Sequence, residues 1–348
     1  MNWRWLALLP ACAIAFAQPD DDIRKLLTGR IADPQKKGIV AATIDGDGRR
    51  RIVAAGDVRP DSLFEIGSVT KVFTTLLLAD MAERAEVSLD DTVAKYLPEG
   101  VRVPGAMTLR QLAMHTSGLP RVPTNLSPKT LANPYVDYTP AKLYDFLNTY
   151  KLTRPPGEKW EYSNLGAGLL GHVLARRAGI DYGTLVRLRI ANPLDMTSTY
   201  AVLPAWLKDR AVKGHNALGQ PVSNWDWDAL AGAGALWSGA DDLLDFLDAN
   251  LGRKKSGLAP ALAAMQKGHV EVGNGVGQSL GWQTLTTPRG ELFWKDGATF
   301  GFSSFIGFDP KSGRGVVILC DTIGSVADIG FHLLDPQIPM RQGRPEPL

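Results

Sequence analysis

The period of the hydrophobic positions changes twice along the chain and predicts three regions. Apolar runs at 39–44 and 51–55 flank the turn sequence at 45–48, Asp-Gly-Asp-Gly, which is typical of a β-hairpin. From Ser68 to about residue 200 the apolar spacing becomes helical, with prolines and glycines between the segments. After residue 280 the pattern returns to strands separated by short turns, which predicts an antiparallel meander.

Boundary residues such as capping hydroxyls, prolines and glycines place the individual segments. Helices are predicted at 23–31, 68–81, 108–114, 140–147, 163–179, 241–251 and 326–334. Strands of the meander are predicted at 280–286, 292–295, 300–308 and 315–320.

Strands at both ends of the chain, with helices between them, predict an α/β fold of the α+β type. We expect the N- and C-terminal strands to share one antiparallel sheet flanked by helices, formed by residues 18–66 and 236–348. Residues 67–235 would form a largely helical insertion. A catalytic cleft is expected where the two parts meet, and Ser68 lies at that junction.

The N-terminal segment is typical of a secretory signal. An apolar run from Trp5 to Phe16 follows Arg4 and ends in an A-x-A-like site, which predicts cleavage after Ala17 and export to the periplasm or medium. The run is too short for a comfortable membrane span. The sequence Leu-Pro-Ala-Cys ending at Cys12 leaves a lower-ranked alternative, a lipoprotein acylated at that residue.

Composition and charge are those of an ordinary globular protein and argue against one class of function, nucleic-acid binding. The 348 residues are 45% hydrophobic and carry a formal net charge of +2, which is ordinary for a globular protein. The absence of Lys/Arg-rich runs with interleaved aromatics argues against nucleic-acid binding and favours a small-molecule or peptide substrate. Cleavage after Ala17 would leave Cys320 as the single cysteine, predicted to be a core thiol.

Ser68 and Lys71 are the first candidates for chemistry. They stand three residues apart at a predicted helix start, so both side chains would lie on one face, one turn apart. The amine could take the hydroxyl proton, and the helix N-terminus would favour developing negative charge. The structural alternative is that Ser68 and Thr70 cap the helix and Lys71 is a surface charge.

Two further segments carry chemistry of the same kind. Tyr162 and Asn164 stand two apart before a predicted helix: the phenol could be a general base or proton relay, and the amide could bind a substrate amide. Lys295 lies near a strand end with Gly297 close by, where a ligand can approach the backbone. A backbone N–H there could complete an oxyanion hole with that of Ser68.

Taken in order, the three segments resemble the motifs of the serine β-lactamase and penicillin-binding-protein superfamily. Ser68-Val69-Thr70-Lys71 resembles S-x-x-K, Tyr162-Ser163-Asn164 resembles Y-x-N, and Lys295-Asp296-Gly297 occupies the place of K-T-G. The resemblance is to the class C branch, with its related D-Ala-D-Ala carboxypeptidases and family VIII esterases. Its further matches include residues 89–91 and 115–120.

The resemblance implies a role for each matching residue. Ser68 would be acylated, Lys71 and Tyr162 would manage its proton and that of the leaving amine, and Lys295 would hold down the phenol pKa. The backbone N–H groups of Ser68 and Ala298 would bind the oxyanion, and no metal or organic cofactor would be required. The remaining candidates for contact with substrate are Asn164, Asp296, Gly297, Ala298 and Arg121.

Asp296 departs from the motif, which has a threonine there. A carboxylate facing the cleft would repel an anionic substrate, whereas one turned away would be structural, and strand alternation leaves both directions open. Arg121 could reach a substrate carboxylate or remain a solvated loop residue.

Two segments imitate catalytic motifs without the required surroundings. Lys255-Ser256-Gly257 spells K-S-G but follows a predicted helix end, so it is interpreted as a surface cap. Gly277-Gln278-Ser279-Leu280-Gly281 spells a nucleophile elbow, but a strand follows where a helix is needed.

Three reactions share the expected acyl-enzyme chemistry. We rank β-lactam hydrolysis by a class C-like enzyme first, D-alanyl-D-alanine carboxypeptidase or endopeptidase action second, and ester hydrolysis third. A sensor that acylates or binds β-lactams without turnover is the non-enzymatic alternative, and a monomer is expected.

Overall fold

The fold is described from a computed structural model that covers residues 20–31 and 37–340. The predicted signal peptide and Cys12 lie outside the described residues. The nine described helices are α1 Asp20–Ile31, α2 Thr70–Glu83, α3 Leu109–Ala113, α4 Pro140–Thr149, α5 Asn164–Ala178, α6 Tyr182–Val186, α7 Ala240–Asn250, α8 Ala259–Met265 and α9 Ala327–Leu334.

One large sheet joins the two ends of the described chain. Its strands are β1 Gly38–Ile44, β2 Arg50–Gly56, β5 Val270–Gly273, β6 Val276–Gln278, β7 Gln283–Thr287, β8 Gly290–Ala298, β9 Ser303–Asp309 and β10 Arg314–Cys320. Their order across the sheet is β2-β1-β10-β9-β8-β7-β6-β5, with antiparallel pairing throughout. The predicted sharing of one sheet by N- and C-terminal strands is therefore confirmed. A separate two-stranded sheet pairs β3 Leu63–Glu65 with β4 Trp237–Gly239.

Both faces of this sheet are buried around β1 and β10. In β10, Val316 and Ile318 pack with α1 and α9, while Val317 and Leu319 belong to the core on the opposite face. Because successive strand residues point to opposite faces, a strand covered on both sides must be apolar at every position. This explains the continuous apolar runs, and the Cys320 thiol is buried among them as predicted.

Helix α2 is the central element of the helical region. Every residue from Thr70 to Met81 is buried, which is typical of a helix surrounded by protein. Its polar side chains have partners: the Thr74 hydroxyl, for example, donates to the carbonyl oxygen of Gly232 at 2.7 Å. The helix therefore holds its first turn in a fixed position relative to the rest of the core.

The predicted element bounds hold to within a few residues, and the differences have local causes. The strand predicted from residue 300 begins at Ser303, because residues 299–302 form a turn closed by the Thr299 N–H donating to the Phe302 carbonyl at 3.1 Å. The short elements β4, α6 and α8, and the edge hairpin of β5 and β6, were missed by the sequence analysis. Three- to seven-residue segments carry too few periods to be recognised.

Candidate active site

Ser68 lies in a tight turn immediately before α2. Residues Gly67–Val69 form a single 3₁₀ turn, and Gly67 has a φ of +48°, in the left-handed region that glycine tolerates. A Cβ at Gly67 would lie 2.7 Å from the Ala298 backbone nitrogen, so only glycine allows this approach to β8. The turn therefore presents Ser68 beside the end of the sheet.

The structural alternative for this helix start, capping by the Ser68 and Thr70 hydroxyls, is wrong. Val69 is the N-cap of α2 and makes no side-chain cap hydrogen bond. The Thr70 hydroxyl instead accepts a hydrogen bond from the Leu236 N–H at 3.1 Å, outside the helix. Ser68 Oγ is turned toward two other side chains, so its surroundings favour chemistry over capping.

Lys71 is buried, with 2% of its surface exposed, and all three ammonium protons have an acceptor. Its Nζ donates to Ser68 Oγ at 2.9 Å, Asn164 Oδ1 at 2.8 Å and the Ala233 carbonyl at 2.7 Å. Burial, helped by the positive charge of Lys295 and opposed by Tyr162, lowers the pKa of Lys71 to about 8. A neutral amine beside the serine hydroxyl is thus accessible near physiological pH.

Tyr162 completes the surroundings of Ser68 Oγ. Its phenol donates to that oxygen at 2.6 Å. Three cationic groups lie near its ring: Lys71 Nζ is 4.9 Å from the centroid, and Lys295 Nζ and Arg121 Cζ are each 5.1 Å from it. Burial alone would raise the pKa of Tyr162, but the Lys71 and Lys295 charges outweigh it and lower the pKa below its usual value.

His115 supports Tyr162 from behind. Its ring lies 4.6 Å from the Tyr162 ring, and its Nδ1 accepts a hydrogen bond from the Ser163 N–H at 3.2 Å. Burial, with Lys71 and Lys295 nearby, keeps the pKa of His115 well below its usual value. A neutral histidine that accepts a backbone hydrogen bond acts as a structural support for this loop.

Lys295 approaches the site from strand β8. It is 3% exposed, and its Nζ contacts Gln283 Oε1 and Asp296 Oδ1, each at 3.3 Å. Burial alone would lower its pKa, but the negative charges of Tyr162 and Asp296 raise it. The direction of Asp296, left open by the sequence, is toward Lys295.

The end of β8 lies directly against the turn that carries Ser68. A Cβ at Gly297 would lie 2.2 Å from the Ile66 carbonyl oxygen and 2.9 Å from the Ser68 backbone nitrogen. The Ser304 hydroxyl, on the next strand, donates to the same Ile66 carbonyl at 2.8 Å. The backbone at Ser68 and the residue after Gly297, Ala298, are thereby held side by side.

The other predicted substrate-binding residues lie around Tyr162. The Asn164 N–H donates to the Arg121 carbonyl at 2.9 Å, and its Oδ1 accepts the Lys71 proton, so this amide is part of the polar network. The Arg121 side chain is exposed above the Tyr162 ring. Sequence reasoning missed Tyr135, whose phenol interacts with the Asn164 side chain, because no local pattern marks a lone tyrosine.

An aromatic cluster stands next to this network and spans both parts of the chain. The ring centroid of Trp225 lies 4.8 Å from that of Phe300 and 5.5 Å from that of Tyr135. Phe300 follows Ala298 by two residues. Trp227 stacks on Tyr135 at 4.2 Å. The two tryptophans therefore pack against rings from separate segments of the chain.

Neither imitation motif has the surroundings of a catalytic site in the structure. Lys255-Ser256-Gly257 lies in the loop between α7 and α8 and has no strand around it. Ser279 is 1% exposed and its hydroxyl donates to the Trp282 carbonyl at 3.3 Å, in a turn between two strands. Within residues 20–31 and 37–340, no cluster of histidine, cysteine and carboxylate side chains could hold a metal ion.

A serine hydroxyl between a buried lysine and a tyrosine, beside a strand end that carries a second lysine, is the arrangement of a serine hydrolase working through an acyl-enzyme. The sequence model of the family described as Beta-lactamase matches residues 23–329. This chain therefore belongs to the Beta-lactamase family.

Individual relatives agree with this membership. The chain is 28% identical over 310 residues to the D-alanyl-D-alanine-carboxypeptidase/endopeptidase AmpH of Escherichia coli, covering 81% of this chain and 78% of the relative. A class C β-lactamase structure from Rhodobacter sphaeroides is similar with a TM-score of 0.79 at 26% identity, over 90% of this chain and 98% of that one. The D-alanine carboxypeptidase AmpC structure from Burkholderia cenocepacia is equally similar, with a TM-score of 0.79 at 26% identity, over 91% and 100%.

Proposed function

We propose that this serine hydrolase opens the β-lactam amide bond through an acyl-enzyme at Ser68. One observation carries the proposal: Ser68 Oγ is hydrogen-bonded at once to Lys71 Nζ, at 2.9 Å, and to Tyr162 OH, at 2.6 Å. A hydroxyl flanked by two groups with lowered pKa values can lose its proton in either direction. Similarity to class C β-lactamases supports the choice of reaction.

In the acylation step, Ser68 Oγ attacks the carbonyl carbon as its proton passes to the Lys71–Tyr162 pair. The two groups lie in one hydrogen-bonded network with Ser68, so the proton acceptor is the pair as a unit, with either the neutral amine or the phenolate receiving the proton. Lys295 favours the phenolate by its positive charge near the ring.

Negative charge then develops on the carbonyl oxygen. In this proposal it is held by the backbone N–H groups of Ser68 and Ala298, which the close approach of Gly297 brings alongside each other. The amide C–N bond breaks when the intermediate collapses, and Tyr162 returns the proton to the leaving nitrogen. Asn164, Arg121 and Gly297 are assigned to substrate contact.

In deacylation, water is the nucleophile and Ser68 Oγ is the leaving group. A water molecule gives a proton to Tyr162 and its oxygen attacks the ester carbonyl, and the tetrahedral intermediate again has its charge at the two N–H groups. Breaking the ester bond returns the proton to Ser68 Oγ. The net reaction consumes one water and leaves an acid and an amine.

Turnover of nitrocefin tests the proposal directly. Continuous hydrolysis that is lost in Ser68→Ala is expected, whereas a single stoichiometric burst, or no reaction, would contradict β-lactam hydrolysis. Labelling by a fluorophosphonate probe, followed by mass spectrometry, identifies the nucleophile. Labelling of Ser68→Ala equal to that of the parent would contradict the assignment of this residue.

Peptide hydrolysis is the second candidate, supported by similarity to the AmpH carboxypeptidase/endopeptidase. The panel should therefore include a D-Ala-D-Ala peptide and a short-chain p-nitrophenyl ester beside nitrocefin. The substrate with the highest kcat/KM defines the reaction. A sensor would be acylated by penicillin without turning over any of the three.

The proposed location and assembly need separate experiments. Among the described residues no helix is long and apolar enough to span a membrane. We propose secretion as a monomer, so that N-terminal sequencing of the exported protein starts at Gln18 and light scattering gives one chain. A membrane-bound product beginning at modified Cys12 would establish the lipoprotein alternative. The division into residues 18–66 with 236–348 and 67–235 stays a prediction.

A further inference from the structure

Asp296 adds a negative charge to β8 beside Lys295, at a position where the related motif has a neutral threonine. Its Oδ1 lies 3.3 Å from Lys295 Nζ in an ion pair. The Lys295 side chain is only 4% exposed, whereas that of Asp296 is 23% exposed. The part of the pair that a ligand can reach is therefore the carboxylate.

The position of Asp296 relative to the nucleophile is set by strand geometry. It stands two residues before Ala298 on β8, so the two Cα atoms are separated by about 7 Å. The residue between them, Gly297, abuts the backbone of Ile66 and Ser68. The partly exposed Asp296 side chain thus belongs to the strand segment that flanks the Ser68 turn.

Lys295 already has an anionic partner in Asp296. Its ammonium is shared among Asp296, Gln283 and the face of Tyr162. A substrate carboxylate seeking this lysine would have to sit beside Asp296, where like charges repel in a partly buried setting.

Asp296 is therefore a specificity-determining residue: we propose that its carboxylate occupies the place of a substrate carboxylate beside Lys295, so that this enzyme prefers substrates uncharged next to the scissile bond. The inference rests on the proposed acylation of Ser68. Within the substrates that Ser68 can open, it predicts a higher kcat/KM for neutral esters and amides than for anionic ones, anionic β-lactams included.

A matched ester series tests this preference. Phenyl phenylacetylglycinate and its meta-carboxyphenyl analogue differ only in a carboxylate on the leaving group. The effect of that substituent on the phenol as a leaving group is the same in every variant and cancels when variants are compared. The measured quantity is the ratio of kcat/KM for the anionic ester to kcat/KM for the neutral ester.

We expect Asp296→Asn and Asp296→Thr each to raise this ratio by about tenfold, mainly through KM for the anionic ester. Glu291→Gln is the matched control, because it removes a carboxylate from the far end of the same strand. Its ratio should equal that of the parent. An unchanged ratio in both Asp296 variants, or an equal change in Glu291→Gln, would overturn the inference.

The parent alone supplies an independent test if the variants do not fold. Salt screens like-charge repulsion, so higher ionic strength should raise the anionic-to-neutral ratio; a ratio that does not change with salt would contradict the role of Asp296. Failure of the proposed acylation of Ser68 has a different signature, since the parent would then hydrolyse neither ester and Ser68 would not be labelled.

Discussion

At the scale of single residues, the site depends on two pKa values that are both lowered, but for different reasons. Lys71 is buried without a carboxylate partner among the described residues, which lowers its pKa to about 8. The Tyr162 pKa is lowered by the lysine charges despite burial. Lys71 thus favours the phenolate form of Tyr162, whereas Tyr162 opposes the lowering of the Lys71 pKa.

The pH profile should report the Lys71–Tyr162 pair. The neutral amine accepts the serine proton, and its fraction increases as pH rises through the lowered pKa, so kcat/KM should rise up to about pH 8 and then level. Replacing Tyr162 by Phe removes an interaction that raises the Lys71 pKa, so the rising limb should move to lower pH. A rising limb of kcat/KM centred near the ordinary pKa of lysine would contradict the lowering of the Lys71 pKa by burial.

Removing the phenol should also cost rate. Tyr162→Phe is expected to lower kcat by about 10² to 10⁴, the usual contribution of a positioned acid or base. Tyr182→Phe is the matched control, since its buried phenol contacts Thr74 Oγ1 at 2.8 Å and does not bond Ser68. That variant should keep its kcat and lose about 1 kcal/mol of unfolding free energy. Equal kinetic losses in both variants would argue against a catalytic role for Tyr162.

At the scale of elements, the site is a contact between a turn and a strand. The 3₁₀ turn at 67–69 and the end of β8 meet at two glycines, Gly67 and Gly297, where no side chain fits. The nucleophile is on one element and Ala298 on the other. Their separation is therefore set by backbone packing, which a single methyl group can disturb.

A methyl group at Gly297 should separate the two elements. Gly297→Ala places a Cβ 2.2 Å from the Ile66 carbonyl oxygen, so the backbone must shift; we expect kcat to fall by about 10² or more, with a stability loss of about 1–3 kcal/mol. Gly257→Ala, in the imitation motif, has no atom within 4 Å of its Cβ and should be silent. Nitrocefin turnover and thermal unfolding measure both effects.

Lys295 and Lys255 can be compared in the same way, because each is followed two residues later by a glycine. Lys295→Ala should cost activity, whereas Lys255→Ala in the α7–α8 loop should not. A loss confined to Lys255→Ala would show that the third motif had been assigned to the wrong segment.

At the scale of the whole molecule, one buried cluster crosses the predicted division of the chain. It includes Val40 and Leu319 from the sheet, Leu76 from α2 and Leu169 from α5. The helical region and the sheet therefore bury apolar surface against each other, which couples their stabilities.

Urea unfolding should accordingly show a single transition. Tryptophan fluorescence and far-ultraviolet circular dichroism are expected to give the same midpoint. Leu76→Ala, at a fully buried position, should lower both midpoints together at a cost of about 2–5 kcal/mol. Two separate transitions would contradict a shared core.

The sequence by itself determined the longer elements and the identities of the candidate groups. Helical periods, the Thr108 capping box of α3, the hairpin at residues 45–48 and the motif residues are all local features, so they can be recognised without a fold. Chemistry-bearing residues at characteristic spacings also indicated the family, which the match over residues 23–329 confirmed.

Only the tertiary structure decided what these groups contact. Tyr162 meets Ser68 across 94 positions of sequence, and the Ala233 carbonyl meets Lys71 across 162. The direction of Asp296 likewise followed only from its 3.3 Å contact with Lys295 Nζ, since strand alternation by itself allowed either face. Local pattern sets which residue occurs where, but charge pairing and pKa depend on burial and on neighbours that only packing of distant segments brings together.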